Sequence, residues 1–110
     1  LEEYASEYFD IDTPSPYMLL VAPVKKPEKI PAVTHVDGTG RLQTISKDTN
    51  PLFYDLINEF YKITSVPVLV NTSMNVRGEP IVNTPKQAYN MIIKTDMDYI
   101  VLGNYIVKKQ

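Results

Sequence analysis

The stretch Val66-Pro67-Val68-Leu69-Val70-Asn71-Thr72-Ser73-Met74-Asn75-Val76-Arg77-Gly78-Glu79-Pro80 decides how this chain is read. Its apolar first third, with a proline only near the start, predicts a buried strand over residues 66–70. The run then turns polar, placing short hydrogen-bonding side chains at the strand's C-terminal end, where ligands most often sit in α/β sheets. Ser73 and Asn75 point the same way if the chain stays extended, and Arg77 keeps that alternation. A hydroxyl, a carboxamide and a guanidinium in register suit an anion or a nucleotide. The plainer reading has these residues making turn hydrogen bonds, with Arg77 solvated or paired to Glu79. On spacing alone the plainer reading is the commoner outcome.

Helices are expected on both sides of this stretch. Asn50 is an N-cap residue followed by Pro51 at the first helical position, and Leu52, Phe53, Leu56, Ile57, Phe60 and Tyr61 make an apolar stripe to about Thr64. Downstream, Thr84, Pro85 and Gln87 spell a capping box, and Tyr89, Ile92 and Ile93 supply the buried face of a second helix. The end reads as a hairpin, residues 99–102 and 105–107 joined by Gly103-Asn104. Working toward the start, Ala32-Val33-Thr34-His35-Val36 and Arg41-Leu42-Gln43-Thr44-Ile45 predict two strands around an Asp37–Gly40 turn. Tyr17 to Ala22 predicts a strand buried on both faces, ended by Pro23. Leu1, Tyr4, Ala5, Tyr8 and Phe9 form the stripe of an amphipathic helix whose cap lies upstream, so a piece of a longer polypeptide is expected. Together these elements predict one α+β domain, a mixed sheet flanked by helices.

The second polar segment is Thr34-His35-Val36-Asp37-Gly38-Thr39-Gly40-Arg41. A functional reading uses Arg41 to clamp a phosphate and His35 as a donor or proton carrier. A plain Asp-Gly hairpin with a satisfied histidine is the other, favoured for His35 alone. The segment is neither a Walker loop nor a dinucleotide fingerprint. Lys25, Lys26 and Lys29 read as a solvated loop, and Asp96 and Asp98 as capping or solvated carboxylates.

Composition narrows the classes. The 110 residues carry a formal net charge of -2, giving no global pull toward nucleic acid or an anionic membrane. Without cysteine there is no thiolate catalysis, disulfide or cysteine zinc site, and the single histidine excludes a His-rich metal site within this chain. No apolar run reaches the roughly 20 residues that span a bilayer. Neither a nucleic-acid nor a membrane partner is expected, and a cytoplasmic setting is the default.

Three stretches in order, Pro16-Tyr17-Met18-Leu19-Leu20-Val21-Ala22-Pro23-Val24, Pro31-Ala32-Val33-Thr34-His35-Val36-Asp37-Gly38-Thr39 and Pro67 to Pro80, closely resemble the C-terminal domain of the NodU/CmcH carbamoyltransferases. The resemblance runs over essentially the whole chain. It implies a YrdC-like fold, here incomplete, attached to an N-terminal actin-like domain of the same polypeptide that binds iron. It also implies O-carbamoyl transfer: carbamoyl phosphate and ATP, expected with Mg²⁺, yield a carbamoyl-adenylate, whose carbamoyl group passes to a hydroxyl acceptor. The family's Ser-x-Asn motif falls on Ser73 and Asn75, and its phosphate-clamping arginine on Arg41. These three are the implied catalytic residues, with Arg77 and His35 as further binding residues. Family members also carry an upstream basic segment that would precede Leu1, so a partial site with little turnover of its own is expected.

A second class of function stays open: a non-catalytic module of the same fold that docks onto its neighbour domain or forms a homodimer. A standalone relative of the threonylcarbamoyl-AMP synthases fits the acidic balance less well.

Overall fold

A computed structural model describes residues 1–109. It is an α+β chain with helices α1 (Ala5–Tyr8), α2 (Pro51–Thr64) and α3 (Pro85–Lys94), and strands β1 (Leu20–Pro23), β2 (Thr39–Leu42), β3 (Tyr99–Leu102) and β4 (Tyr105–Lys108). In place of one mixed sheet, the strands form two separate antiparallel ladders, β1 with β2 and β3 with β4. The chain divides into two compact units, Leu1–Val70 and the residues from Asn71 onward.

In the first unit, Tyr8, Phe9, Ala22, Ile30 and Leu42 form one core cluster and Leu1, Ile45 and Ile57 a second. The predicted N-terminal stripe is real: a single 3₁₀ turn, Glu2–Tyr4, runs into α1, and Leu1, Tyr8 and Phe9 are buried. The connector before β1 is stapled where side chains and backbone meet. Ser15 N–H donates to Thr44 Oγ1 (3.0 Å), Thr44 N–H to the Ser15 carbonyl (2.9 Å), and Ser15 Oγ to the Leu42 carbonyl (3.2 Å). Both residues are buried, and their polar groups are satisfied by one another, as burial demands.

Helix α2 begins where its signals place it, with the Asn50 side chain accepting from Phe53 N–H and Pro51 at the first position. It ends at Ser65, which takes a left-handed conformation (φ 60°) and returns its N–H to the Tyr61 carbonyl. The lysine loop is also as read, a surface segment. Lys25 pairs with Asp10 (3.2 Å) and Lys26 with Glu7 (3.1 Å), which occupies those charges next to α1.

Four strand expectations change. Residues 32–36 are not a strand: Pro31–Val33 is a 3₁₀ turn, and Thr34 returns its N–H to the Pro31 carbonyl and its hydroxyl to the Ile30 carbonyl (2.9 Å). A proline at the head of a turn and a threonine bonding its own backbone outweigh β-branching there. Consequently β2 pairs with β1 and begins at Thr39, not Arg41. The apolar run at 17–22 yields a four-residue strand in which Ala22 alone is buried, while Leu19 and Val21 stay 77% and 58% exposed. A two-stranded ladder covered on one side cannot bury both faces. Residues 66–70 pack with strand-like alternation, Val66 and Val68 against the first cluster and Leu69 against the second. They pair with no strand among the described residues.

The second unit closes around Ala88, Ile92 and Ile100, with Met74, Val82, Leu102 and Val107 against them. The capping box of α3 is present in full: Thr84 accepts from Gln87 N–H, and Gln87 Oε1 from Thr84 N–H (3.1 Å). The hairpin turns at Gly103, whose positive φ of 58° is what a type II′ connection requires of its first central residue.

Packing around Gly40 fixes the loop that precedes it. A Cβ there would lie 2.9 Å from the Phe9 ring and 3.1 Å from the Val33 carbonyl oxygen. Gly40→Ala is therefore expected to destabilise the first unit by about 1–3 kcal/mol, read as a lowered urea midpoint. Ile92 is fully buried, and Ile92→Ala should cost the second unit about 2–5 kcal/mol by the same measurement.

Candidate functional site

The segment from His35 to Arg41 is a hydrogen-bonded loop feeding β2. His35 N–H donates to the Thr39 carbonyl (2.7 Å), and Gly38 N–H to the His35 carbonyl (2.9 Å), with Gly38 at φ 80°. Asp37 Oδ1 accepts both the Thr39 N–H (3.0 Å) and the Thr39 hydroxyl (2.7 Å). Those bonds, the hydroxyl's first, hold the Asp37 carboxyl below its ordinary pKa.

The same hydroxyl lies 3.1 Å from His35 Nδ1. A hydroxyl has one proton, and this one goes to Asp37, so Thr39 accepts from His35. Nδ1 therefore bears the hydrogen, and Nε2 of the exposed ring is the atom left for a ligand. The chain Asp37–Thr39–His35 orients the imidazole, and Thr39 is the residue that sequence reasoning missed. A hydroxyl two residues after an Asp-Gly turn is its signal.

Arg41 follows Thr39 by one full pleat, so the two side chains share a face of β2. The guanidinium is exposed, opposite Val21, and has no carboxylate partner among the described residues.

The Ser73, Asn75 and Arg77 segment lies in the second unit. Ser73 and Asn75 do meet: Ser73 Oγ donates to Asn75 Oδ1 at 2.5 Å. The chain is not extended there, however. Glu79 N–H bonds the Val76 carbonyl (2.9 Å), and Gly78 at φ 84° makes the type II turn that this geometry demands. Arg77 thus sits at the corner of a turn, not one pleat further along a strand, and forms no ion pair with Glu79. Both amide hydrogens of Asn75 are committed to the carbonyls of Glu79 (3.0 Å) and Val76 (3.3 Å). Asn75 closes the loop; the donors left over are the Arg77 guanidinium and the backbone N–H groups of Met74, Val76, Arg77 and Gly78, none of which has a partner among the described residues.

A cleft of about 210 Å³ adjoins this loop, lined by Asn75, Val76, Glu79, Gln87, Asn90 and Lys94 among others. Asn90 and Lys94 stand four apart on α3 and so share a helix face, which the spacing makes legible once Asn75 is suspected. Among the described residues no three His, Asp or Glu side chains gather as a metal-ligand set. No helix is long and apolar enough to cross a membrane.

Imidazole ¹⁵N spectra above the histidine titration should show the Nδ1–H tautomer of His35, and Thr39→Val should abolish that preference. A dominant Nε2–H form in the native chain would contradict the chain of bonds. In the same protein the Asp37 carboxyl should titrate below the usual ~3.9. A depressed carboxylate stabilises the loop above its unfolded pKa, so that contribution disappears as pH falls through the folded value. Thr39→Val should raise the Asp37 midpoint.

Residues 1–109 match the family model described as the carbamoyltransferase C-terminus. Nodulation protein NolO of Bradyrhizobium diazoefficiens is 45% identical over the whole chain, and nodulation protein NolNO of Sinorhizobium fredii 44%. Nodulation protein U of Sinorhizobium fredii is 44% identical over 71% of the chain. The chain spans 21%, 17% and 14% of those proteins respectively, about a fifth or less of their length. Family model and relatives bear out the resemblance: the chain belongs to the carbamoyltransferase family and corresponds to its C-terminal region.

Proposed function

We propose that this chain supplies anion-binding residues to an O-carbamoyltransferase that makes a carbamoyl-adenylate from carbamoyl phosphate and ATP, for transfer to a hydroxyl acceptor. One observation supports the reading above the others. Arg41 and Arg77 are exposed guanidiniums without carboxylate partners among the described residues, each next to a loop whose side chains, Asp37 with Thr39 and Ser73 with Asn75, bond one another. Free guanidiniums on pre-set loops suit phosphoryl oxygens, since the fork binds bidentately and stays charged.

In this reading Arg41 clamps a phosphate, with His35 beside it presenting Nε2. Ser73 and Asn75 hold the 73–79 turn so that Arg77 and the free N–H groups face phosphate or carbamoyl oxygens. Ser73 Oγ, once a ligand competes for its proton, turns from Asn75 to that ligand. Donors fixed in advance in this way stabilise developing charge at little reorganisation cost. Carbamoyl phosphate, ATP and one water enter: hydrolysis of carbamoyl phosphate releases phosphate and leaves carbamate, whose oxygen displaces pyrophosphate from the α-phosphorus of ATP. Mg²⁺ would accompany ATP, and no step is assigned to it. Iron belongs to the actin-like N-terminal part proposed for the full-length polypeptide, and so does delivery of the carbamoyl group to its acceptor.

A second reading, a docking or dimerisation module of YrdC-like fold, is favoured by the hairpin. Its outward face presents Tyr99, Val101 and Ile106 at 57%, 67% and 74% exposure. Light scattering separates the two: a monomer that binds ATP speaks against the module.

The catalytic reading is tested in the full-length protein by carbamoyl-phosphate-dependent exchange of pyrophosphate into ATP. Arg41→Ala and Ser73→Ala should each lower exchange by about 100-fold or more, in line with loss of one preorganised donor. Arg41→Lys should recover only part of it, because an ammonium lacks the planar fork. Exchange indifferent to both alanine variants would overturn the proposal.

A further inference from the structure

Residues 66–70 pack with a strand's alternation and belong to no ladder among the described residues. Their packing alternates, Val66 and Val68 to one cluster and Leu69 to the other, with Pro67 fully buried between. Two backbone groups at the segment's start are taken. The Pro67 carbonyl accepts from the Leu1 nitrogen (3.0 Å), and Val66 N–H donates to Thr64 Oγ1 (3.1 Å). The N–H and carbonyl groups of Val68, Leu69 and Val70 have no hydrogen-bond partner among the described residues. Alongside them runs a groove of about 280 Å³, lined by Ile30, Val33, Phe60, Val66, Val68 and Val70 among others, almost wholly apolar.

We infer that residues 66–70 are the receiving edge for a β-strand of the same polypeptide, contributed by sequence beyond this chain. Three features fix the class of occupant. Unpaired main-chain groups in a half-buried, apolar setting ask for main-chain partners, which a helix, whose backbone bonds are internal, does not offer. Alternation with period two sets a pleat that another strand can continue. The apolar groove takes the alternate side chains of such a strand. Covalent attachment favours the same polypeptide: relatives that match this chain are about five times its length, so the occupant is held at high effective concentration. The inference concerns assembly of the fold and does not rest on the carbamoyl chemistry.

Backbone amide exchange in the full-length protein tests it. The amides of Val68 and Val70, which an extended chain directs to one flank, should exchange about 100-fold or more slowly than unstructured rates, comparable with the interior of α2 and independent of protein concentration. Exchange as fast as in the exposed 47–49 turn would overturn the inference. So would protection that fades on dilution together with a dimer seen by light scattering, since the occupant would then be a second copy. Val68→Pro, which removes one donor, should speed exchange at Val70; the unmodified protein decides the matter should that variant fail to fold.

Discussion

Everything displayed by the first unit hangs on how closely its backbone approaches the Phe9 ring at Gly40. That residue is buried in the middle of β2, under the ring, with the Val33 carbonyl and the Val24 side chain on its other sides. No side chain fits there. The approach sets the end of α1 against β2 and the 3₁₀ turn at Pro31–Val33 against both. It also decides which way the neighbours face, because residues flanking a buried glycine in a strand must point outward. Thr39 and Arg41 are those neighbours. A packing constraint thereby places a hydroxyl and a guanidinium side by side on one face, and the Asp37–Thr39–His35 bonds extend that polar row by an imidazole.

Polar saturation does comparable work in both units. In the loop before β2, Asp37 takes the proton of Thr39, and Thr39 takes that of His35, leaving one ring nitrogen for other uses. In the 73–79 turn, Ser73 spends its proton on Asn75, and Asn75 spends both of its own on carbonyls. What each loop offers a ligand is what its internal bonds leave over. For an anion that remainder suits: in the first loop an exposed guanidinium, in the second a guanidinium and main-chain N–H groups. Net charge of -2 says nothing of this, since local donors and global charge are independent.

Much of the fold could be read from local signals. Asn50-Pro51, Thr84-Pro85 with Gln87, and Gly103-Asn104 satisfy orphan backbone groups or a required φ within a few residues, so they act the same in any context. Helices α2 and α3 and the final hairpin followed from them. Strands were less legible, because pairing is a property of two segments. Residues 32–36 have β-branched composition, yet Pro31 and the Thr34 hydroxyl offered their backbone a nearer partner. Residues 66–70 have the right composition and the right alternation, and still no ladder among the described residues. At the candidate site, the motif positions of Ser73, Asn75 and Arg41 were readable, but the division of labour was not. That Asn75 is a closure and Thr39 a relay depends on which donor reaches which acceptor across a turn.

Arg41 in the first unit and the 73–78 loop in the second are each proposed to bind phosphoryl oxygens of the substrates. The most direct measurement is a crystal structure of the full-length protein with carbamoyl phosphate and a non-hydrolysable ATP analogue. It should place phosphate oxygens within hydrogen-bond distance of the Arg41 guanidinium and of Ser73 or the main-chain N–H groups that follow it. Ligand phosphates bound with both segments left in solvent would contradict the account.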